Sequence, residues 1–121
     1  CGASVHFIGT VRNHQGGKSV KKLHYECYES MADKQISAIV NRVKHDCSVD
    51  RIRVLHRVGW LELGDVAIII EVSSAHREEA FSACRAVIEE IKKKVPIWKK
   101  EVYADGTSEW VLAAHKKEAI L

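Results

Sequence analysis

The chain has 121 residues, enough for one domain that buries a core without disulfide or metal staples. Hydrophobic residues make up 46% and charged residues 29%, the balance of an ordinary globular protein, and no apolar run approaches the ~20 residues that span a bilayer. The net charge of +3 does not by itself indicate a nucleic-acid-binding protein. We therefore expect one soluble domain covering residues 1–121.

The cysteines are scattered along the chain without a C-x-x-C pair, which is typical of a reduced, cytosolic protein. They are Cys1, Cys27, Cys47 and Cys84. Because the first residue is not Met, we expect a trimmed N-terminus, and we interpret residues 112–121 as a tail that is charged over Lys116 to Glu118.

The first third of the chain predicts two strands and a helix. Ala3 to Gly9 alternates in polarity and ends in a loop rich in helix- and strand-breaking residues. Val20 to Tyr28 has a period of two, which is typical of a half-buried strand. Ser30 is the expected N-cap of a helix whose apolar residues recur at three- and four-residue steps as far as Cys47.

Two more strands, a second helix and a final strand pair follow. The second helix has Ser74 as its expected cap, an apolar stripe over residues 80–91, and Pro96 as its stop. The four strands are predicted over Arg51–Val58, Val66–Val72, Ile97–Tyr103 and Glu109–Ala113. The order ββαββαββ indicates a single α+β domain with two helices packed on a mostly antiparallel sheet.

The start of the second helix is a candidate anion site. Free backbone N–H groups and the helix dipole favour an anion there, Arg77 adds a bidentate donor, and His76 can carry a proton near neutral pH. The alternative is that Ser74 is only a cap and that His76 and Arg77 form a solvated first turn. Arg12, in a glycine-bearing loop after the first strand, can reach a ligand or be an ordinary surface arginine.

The segment Lys92 to Glu101 is the strongest candidate site, with five lysines around the single proline of the chain. Such a cluster favours phosphates or carboxylates. The alternative is a solvated helix end followed by an edge strand guarded by lysines, which suits Lys93 and Lys94 better than Lys99 and Lys100. A lysine at the margin of a buried region can transfer protons or attack a carbonyl. No histidine or cysteine spacing fits a metal site, and we predict neither metal nor cofactor.

Five motifs in order resemble the large, catalytic subunit of molybdopterin synthase, the MoaE family. They are residues 7–14 (FIGTVRNH), 23–28 (LHYECY), 56–59 (HRVG), 72–77 (VSSAHR) and 94–101 (KVPIWKKE). The resemblance implies conversion of cyclic pyranopterin monophosphate to molybdopterin with two sulfurs from a small ubiquitin-like subunit, whose C-terminal Gly-Gly ends in a thiocarboxylate. It also implies a homodimer with a small subunit at each end, acting in the cytosol without nucleic acid or membrane.

The resemblance assigns roles to particular residues. Lys92 and Lys99 become the central catalytic lysines, and Arg12, His76 and Arg77 hold the phosphate and pterin of the substrate. The full substrate-binding set that the resemblance implies is Arg12, His76, Arg77, Lys92, Lys99, Lys100 and Glu101. Two other interpretations stay open: a phospholigand- or nucleic-acid-binding module without catalysis, and a scaffold that only presents the small subunit.

Overall fold

Two helices and eight strands make up the described part of the chain. A computed structural model of the chain describes residues 1–11, 14–15, 18–27, 29–95, 97–103 and 105–112. The elements in chain order are β1 (Ala3–Thr10), β2 (His14–Gln15), β3 (Lys18–Cys27), α1 (Glu29–Cys47), β4 (Arg51–His56), β5 (Gly59–Glu62), β6 (Val66–Ser74), α2 (Arg77–Lys94), β7 (Ile97–Tyr103) and β8 (Ser108–Leu112). The α+β prediction is confirmed, and the structure adds the short strands β2 and β5 to the six expected ones.

The described strands form two antiparallel sheets. The first is three-stranded, in the order β1-β6-β4. The second has the path β2-β3-β7-β8, and β5 also pairs with β3. The strand β6 is the central strand of the first sheet, which explains its nearly continuous apolar sequence.

Both helices cover one face of the first sheet. The helix α2 packs on β1 and β6, while α1 packs against α2 and β4. The buried stripe of α2 consists of Ala80, Ala83, Cys84, Val87 and Ile91. It faces the alternate residues of β6, of which Ile68, Ile70 and Val72 are fully buried. The core therefore lies between this helix pair and the sheet.

The two predicted serine caps are wrong. The helix α1 begins at Glu29, so Ser30 lies within its first turn. The N-cap of α2 is His76, whose side chain makes no capping hydrogen bond, whereas Ser74 is buried as the last residue of β6. The reason is that β6 continues to pair with β1 as far as Ser74, opposite Ala3, and this pairing delays the start of the helix.

Candidate functional site

The predicted site residues lie at the two ends of α2 and on β7. His76 and Arg77 are exposed at the N-terminus of α2, and Lys92 is partly exposed in its last turn. Lys99 and Glu101 lie on β7. Arg12 and Pro96 lie outside the described residues, and the prediction for Arg12 stays a prediction.

The strand β7 is an interior strand, because it pairs with β3 on one side and β8 on the other. The interpretation of this segment as a lysine-guarded edge is therefore wrong for Lys99 and Lys100. It holds for the helix end, where Lys93 and Lys94 are exposed and Lys94 contacts Glu90.

Lys99 and Glu101 point to the same, inward side of the second sheet. Both side chains are 0% exposed, and the ammonium Nζ of Lys99 lies 4.0 Å from Oε2 of Glu101. Tyr103, two residues further on the same face, donates a hydrogen bond of 3.2 Å from its hydroxyl to Oε1 of Glu101. A buried pair of opposite charges is costly to desolvate, so its presence indicates a role beyond packing.

The local sequence pattern did not single out a tyrosine beside this pair, or the histidine that contacts that tyrosine. Tyr25 is buried and lies opposite Lys99 in the ladder between β3 and β7. The ring of His56 meets that of Tyr25 edge to face, with centroids 5.5 Å apart. Desolvation by burial lowers the pKa of His56 below its ordinary value of 6.5. The period of two in each strand indicated which face each residue shares, but not that these faces meet.

Lys100 points to the opposite side of β7 and does not share the buried cluster. It belongs to a cross-strand row in which Trp60, His24, Lys100 and Trp110 are successive register partners. Trp60 is 51% and Trp110 is 48% exposed. Lys22 lies over the ring of Trp60 at 4.6 Å, and Lys100 over that of Trp110 at 5.9 Å. This outer row is a cation–aromatic surface separate from the buried pair.

The start of α2 forms an open cleft of about 550 Å³. His76 and Arg77 line it together with Gly2, and the carboxylates of Glu78 and Glu79 are part of the same lining. Gly2 lies so close to the carbonyl of Ala75 that a Cβ at this position would clash with its oxygen. The cleft therefore offers backbone N–H groups and one guanidinium to an anion, beside two opposing charges.

The length of α2 separates the two halves of the predicted site. Arg77 and Lys92 are fifteen residues apart on one helix, which corresponds to about 22 Å along the axis at 1.5 Å per residue. Within a single chain, His76 and Arg77 therefore do not come close to Lys92. Among the described residues, no group of three His, Cys, Asp or Glu side chains could hold a metal ion.

Comparisons with known proteins agree on one family. The family model described as "MoaE protein" matches residues 1–94. A molybdopterin synthase catalytic subunit from Thermoplasma volcanium is 43% identical over 109 residues, which are 90% of this chain and 80% of the relative. The corresponding protein from Rattus norvegicus is 44% identical over 91% of this chain, which spans 55% of that relative.

A solved structure of similar shape is the crystal structure of molybdopterin synthase from Staphylococcus aureus. It superposes with a TM-score of 0.85 at 40% sequence identity and covers 91% of this chain and 80% of that one.

Proposed function

The chain belongs to the MoaE family, and on that basis we propose that it is the catalytic subunit of a molybdopterin synthase. It converts cyclic pyranopterin monophosphate to molybdopterin, and the two sulfurs come from the thiocarboxylated C-terminus of a small ubiquitin-like subunit. The observation that carries the proposal is the fully buried Lys99–Glu101 pair on an interior strand of a chain in this family.

The reaction does not require a nucleophile from this subunit, because the thiocarboxylate of the partner supplies the attacking sulfur. Its own task is to hold two anionic reactants together and to stabilise the charge that develops as bonds change. Lysine and arginine suit that task. In this proposal Lys92 and Lys99 polarise the reacting carbonyl or the substrate, and Glu101 keeps Lys99 oriented while Tyr103 holds Glu101.

The anion-binding half consists of Arg12, His76 and Arg77, which hold the phosphate and pterin. Since α2 keeps Arg77 about 22 Å from Lys92 in one chain, the proposal requires the homodimer, in which the start of one α2 meets the end of the other. A small subunit at each end then gives a heterotetramer.

We place this reaction in the cytosol. The three cysteines whose side chains the structure describes, Cys1, Cys47 and Cys84, are free thiols, which supports a reducing compartment. No helix among the described residues is long and apolar enough to cross a membrane.

The test is reconstitution with a thiocarboxylated small subunit and cyclic pyranopterin monophosphate, with the dithiolene product as the readout. The parent chain should turn over, and Lys92→Ala should lower the rate of sulfur transfer about a hundredfold or more, as the loss of one preorganised donor does. Lys93→Ala, an exposed neighbour, is the matched control. A stable complex that forms no product would favour the scaffold instead.

A second candidate function rests on the outer row of the second sheet. Trp60 and Trp110 with Lys22 and Lys100 are the stacking and charged groups that single-stranded nucleic acid uses. Binding to an oligonucleotide that weakens steeply with salt and is lost in Trp60→Ala would favour that module. Lys93→Ala, which removes an exposed lysine outside this row, should leave such binding nearly unchanged.

A further inference from the structure

The ring contact between His56 and Tyr25 joins the two sheets beside the buried lysine. His56 is the last residue of β4, at one end of the order β1-β6-β4 in the first sheet, whereas Tyr25 lies on β3 of the second sheet. The ring centroids are 5.5 Å apart and the ring planes meet at 84°, which is the edge-to-face geometry that aromatic rings favour. Neither residue has a role in the reaction proposed above.

Tyr25 is in turn the direct neighbour of Lys99. The two residues are register partners in the ladder between β3 and β7, and both are buried. Side chains that lie directly opposite each other on antiparallel strands share one face of the sheet, with their Cβ atoms about 5 Å apart. Because a buried side chain packs closely against its neighbours, the position of the Tyr25 ring limits where the stem of Lys99 can lie.

On its other side, in the ladder with β5, Tyr25 lies opposite a residue without a side chain. Its register partner there is Gly59. The φ of Gly59 is +92°, a backbone conformation that glycine adopts readily and other residues rarely do. No side chain on β5 can therefore support the ring of Tyr25 from that position, and the ring of His56, three residues earlier in the chain, supports it instead.

The backbone that carries His56 is held firmly. His56 pairs with Ile68 in the ladder between β4 and β6. Only Arg57 and Val58 separate β4 from β5, so the chain crosses from the first sheet to the second within two residues. The N–H of Arg57 donates a hydrogen bond of 2.9 Å to the carbonyl of Ala67. The ring of His56 therefore projects from a rigid element, as a residue that positions another side chain must.

His56 contributes its ring to the cluster and no positive charge. Its Nε2 atom is buried and makes no hydrogen bond to any residue that the structure describes. Burial lowers the pKa of His56 below 6.5, and this effect exceeds that of a hydrogen bond with the backbone of Arg57, which raises the pKa. The ring is therefore uncharged at neutral pH, and it adds no second cation to the cluster that contains the ammonium of Lys99.

We propose that His56 is a positioning residue for sulfur transfer. Its ring holds Tyr25 in place, and Tyr25 holds the stem of Lys99, so the first sheet sets the position of a lysine on the second. Glu101 holds the ammonium end of the same lysine. This role rests on the proposed function, in which Lys99 polarises the reacting carbonyl or the substrate, and it adds a second means by which that lysine is oriented.

The first test compares kcat and KM for sulfur transfer in three variants. His56→Ala removes the ring and should lower kcat about ten- to a hundredfold with KM nearly unchanged, because a displaced lysine loses transition-state stabilisation rather than substrate binding. His56→Phe keeps a ring against Tyr25 and should stay within about fivefold of the parent's kcat. His45→Ala removes a histidine that is 91% exposed at the end of α1, and as the control it should match the parent.

A double-mutant cycle tests whether His56 acts through Tyr25. Tyr25→Leu should itself lower kcat, and adding His56→Ala to it should have little further effect, because no tyrosine ring remains for His56 to hold. Losses that simply add in the double variant would overturn the inference. Circular dichroism and thermal unfolding verify that the variants fold. If His56→Ala does not fold, His56→Leu replaces it, since leucine fills much of the space without an aromatic ring.

The NMR signal of Lys99 gives a measurement that does not depend on sulfur transfer. In protein with isotope-labelled lysine Cε, this signal is identified by its loss in Lys99→Met. His56→Ala should move it, His56→Phe should move it much less, and His45→Ala should leave it in place. An unmoved Lys99 signal or the parent's kcat in His56→Ala would overturn the inference. So would a His56→Phe variant as slow as His56→Ala, which would assign the role to a ring nitrogen.

The outcomes separate this inference from the proposed function. If the parent transfers sulfur, and His56→Ala neither slows the reaction nor moves the Lys99 signal, the role of His56 is wrong and the function stands. If His56→Ala moves the Lys99 signal but the parent forms no product with its small subunit, the positioning of Lys99 by His56 stands and the function is wrong.

Discussion

Lys99 and Glu101 are the charged side chains that the described part of the chain buries completely. Neither is explained by packing alone, because an apolar pair of the same volume on an interior strand costs no desolvation. The sequence indicated that Lys99 was unusual through its neighbours in the 94–101 motif, and the period of two in β7 implied that Glu101 shares its face. Burial could not be predicted from that pattern, since it depends on which face of the sheet is covered.

The pair predicts a non-additive effect on stability. Lys99→Met leaves a carboxylate buried beside an apolar chain, and Glu101→Gln leaves an ammonium without its opposite charge, so each should lower the free energy of unfolding by about 3–5 kcal/mol. The double variant should lose less stability than the sum of the two single losses. Urea unfolding of the four proteins in a double-mutant cycle measures this coupling, and simple additivity would contradict it.

His56 predicts a pH dependence of stability. Burial lowers its pKa in the folded state below the ordinary value of 6.5, so the unfolded chain binds more protons as the pH falls through 6.5. The parent should therefore lose stability between about pH 7.5 and pH 5.5. In His56→Gln this part of the loss should disappear, and equal pH profiles in urea unfolding would contradict the prediction.

At the scale of the elements, local patterns predicted the long strands and both helices. They failed where pairing between distant segments decides the structure. The strand β5 exists because residues 59–62 pair with β3, although positive-φ glycines at Gly59 and Gly64 punctuate this segment like a loop. The end of β6 was missed for the same reason, since Ser74 is a good cap by residue type but pairs with Ala3 instead.

The ion pairs of Glu90 between the two helices also predict a pH dependence of stability. Oε2 of Glu90, on α2, lies 3.1 Å from Nη2 of Arg42 on α1 and 2.9 Å from Nζ of Lys94. The hydrogen bond from Lys94, with the charge of Arg42, lowers the pKa of Glu90 below its ordinary value of 4.5. The stabilisation is present above that value and is lost as the pH falls through the lowered pKa.

Glu90→Gln should therefore lower the free energy of unfolding at pH 7, and the difference from the parent should vanish at low pH. High salt should also reduce it, because these side chains are partly exposed. Glu89→Gln, an exposed neighbour on the same helix, is the control for changes in helix charge. A difference that persists in acid would show that the ion pairs are not its cause.

At the scale of the whole molecule, the sequence grouped residues that one chain keeps apart. Motif order shows that 72–77 and 94–101 belong to one family pattern, but it carries no information on the distance between them. Only the continuous helix from Arg77 to Lys94 shows that Arg77 and Lys92 are about 22 Å apart. The site that we propose uses both ends, so it must draw them from two chains, and in that proposal the homodimer is part of the chemistry.

This arrangement predicts complementation between two inactive variants. In a mixed dimer of Arg77→Ala and Lys92→Ala subunits, one site contains both changes and the other contains neither. Random exchange gives half mixed dimers, so about a quarter of the parent's sulfur-transfer activity should return on mixing, although each variant alone should be nearly inactive. If each site were built from one chain, every site in the mixture would contain one of the changes, and mixing would restore nothing.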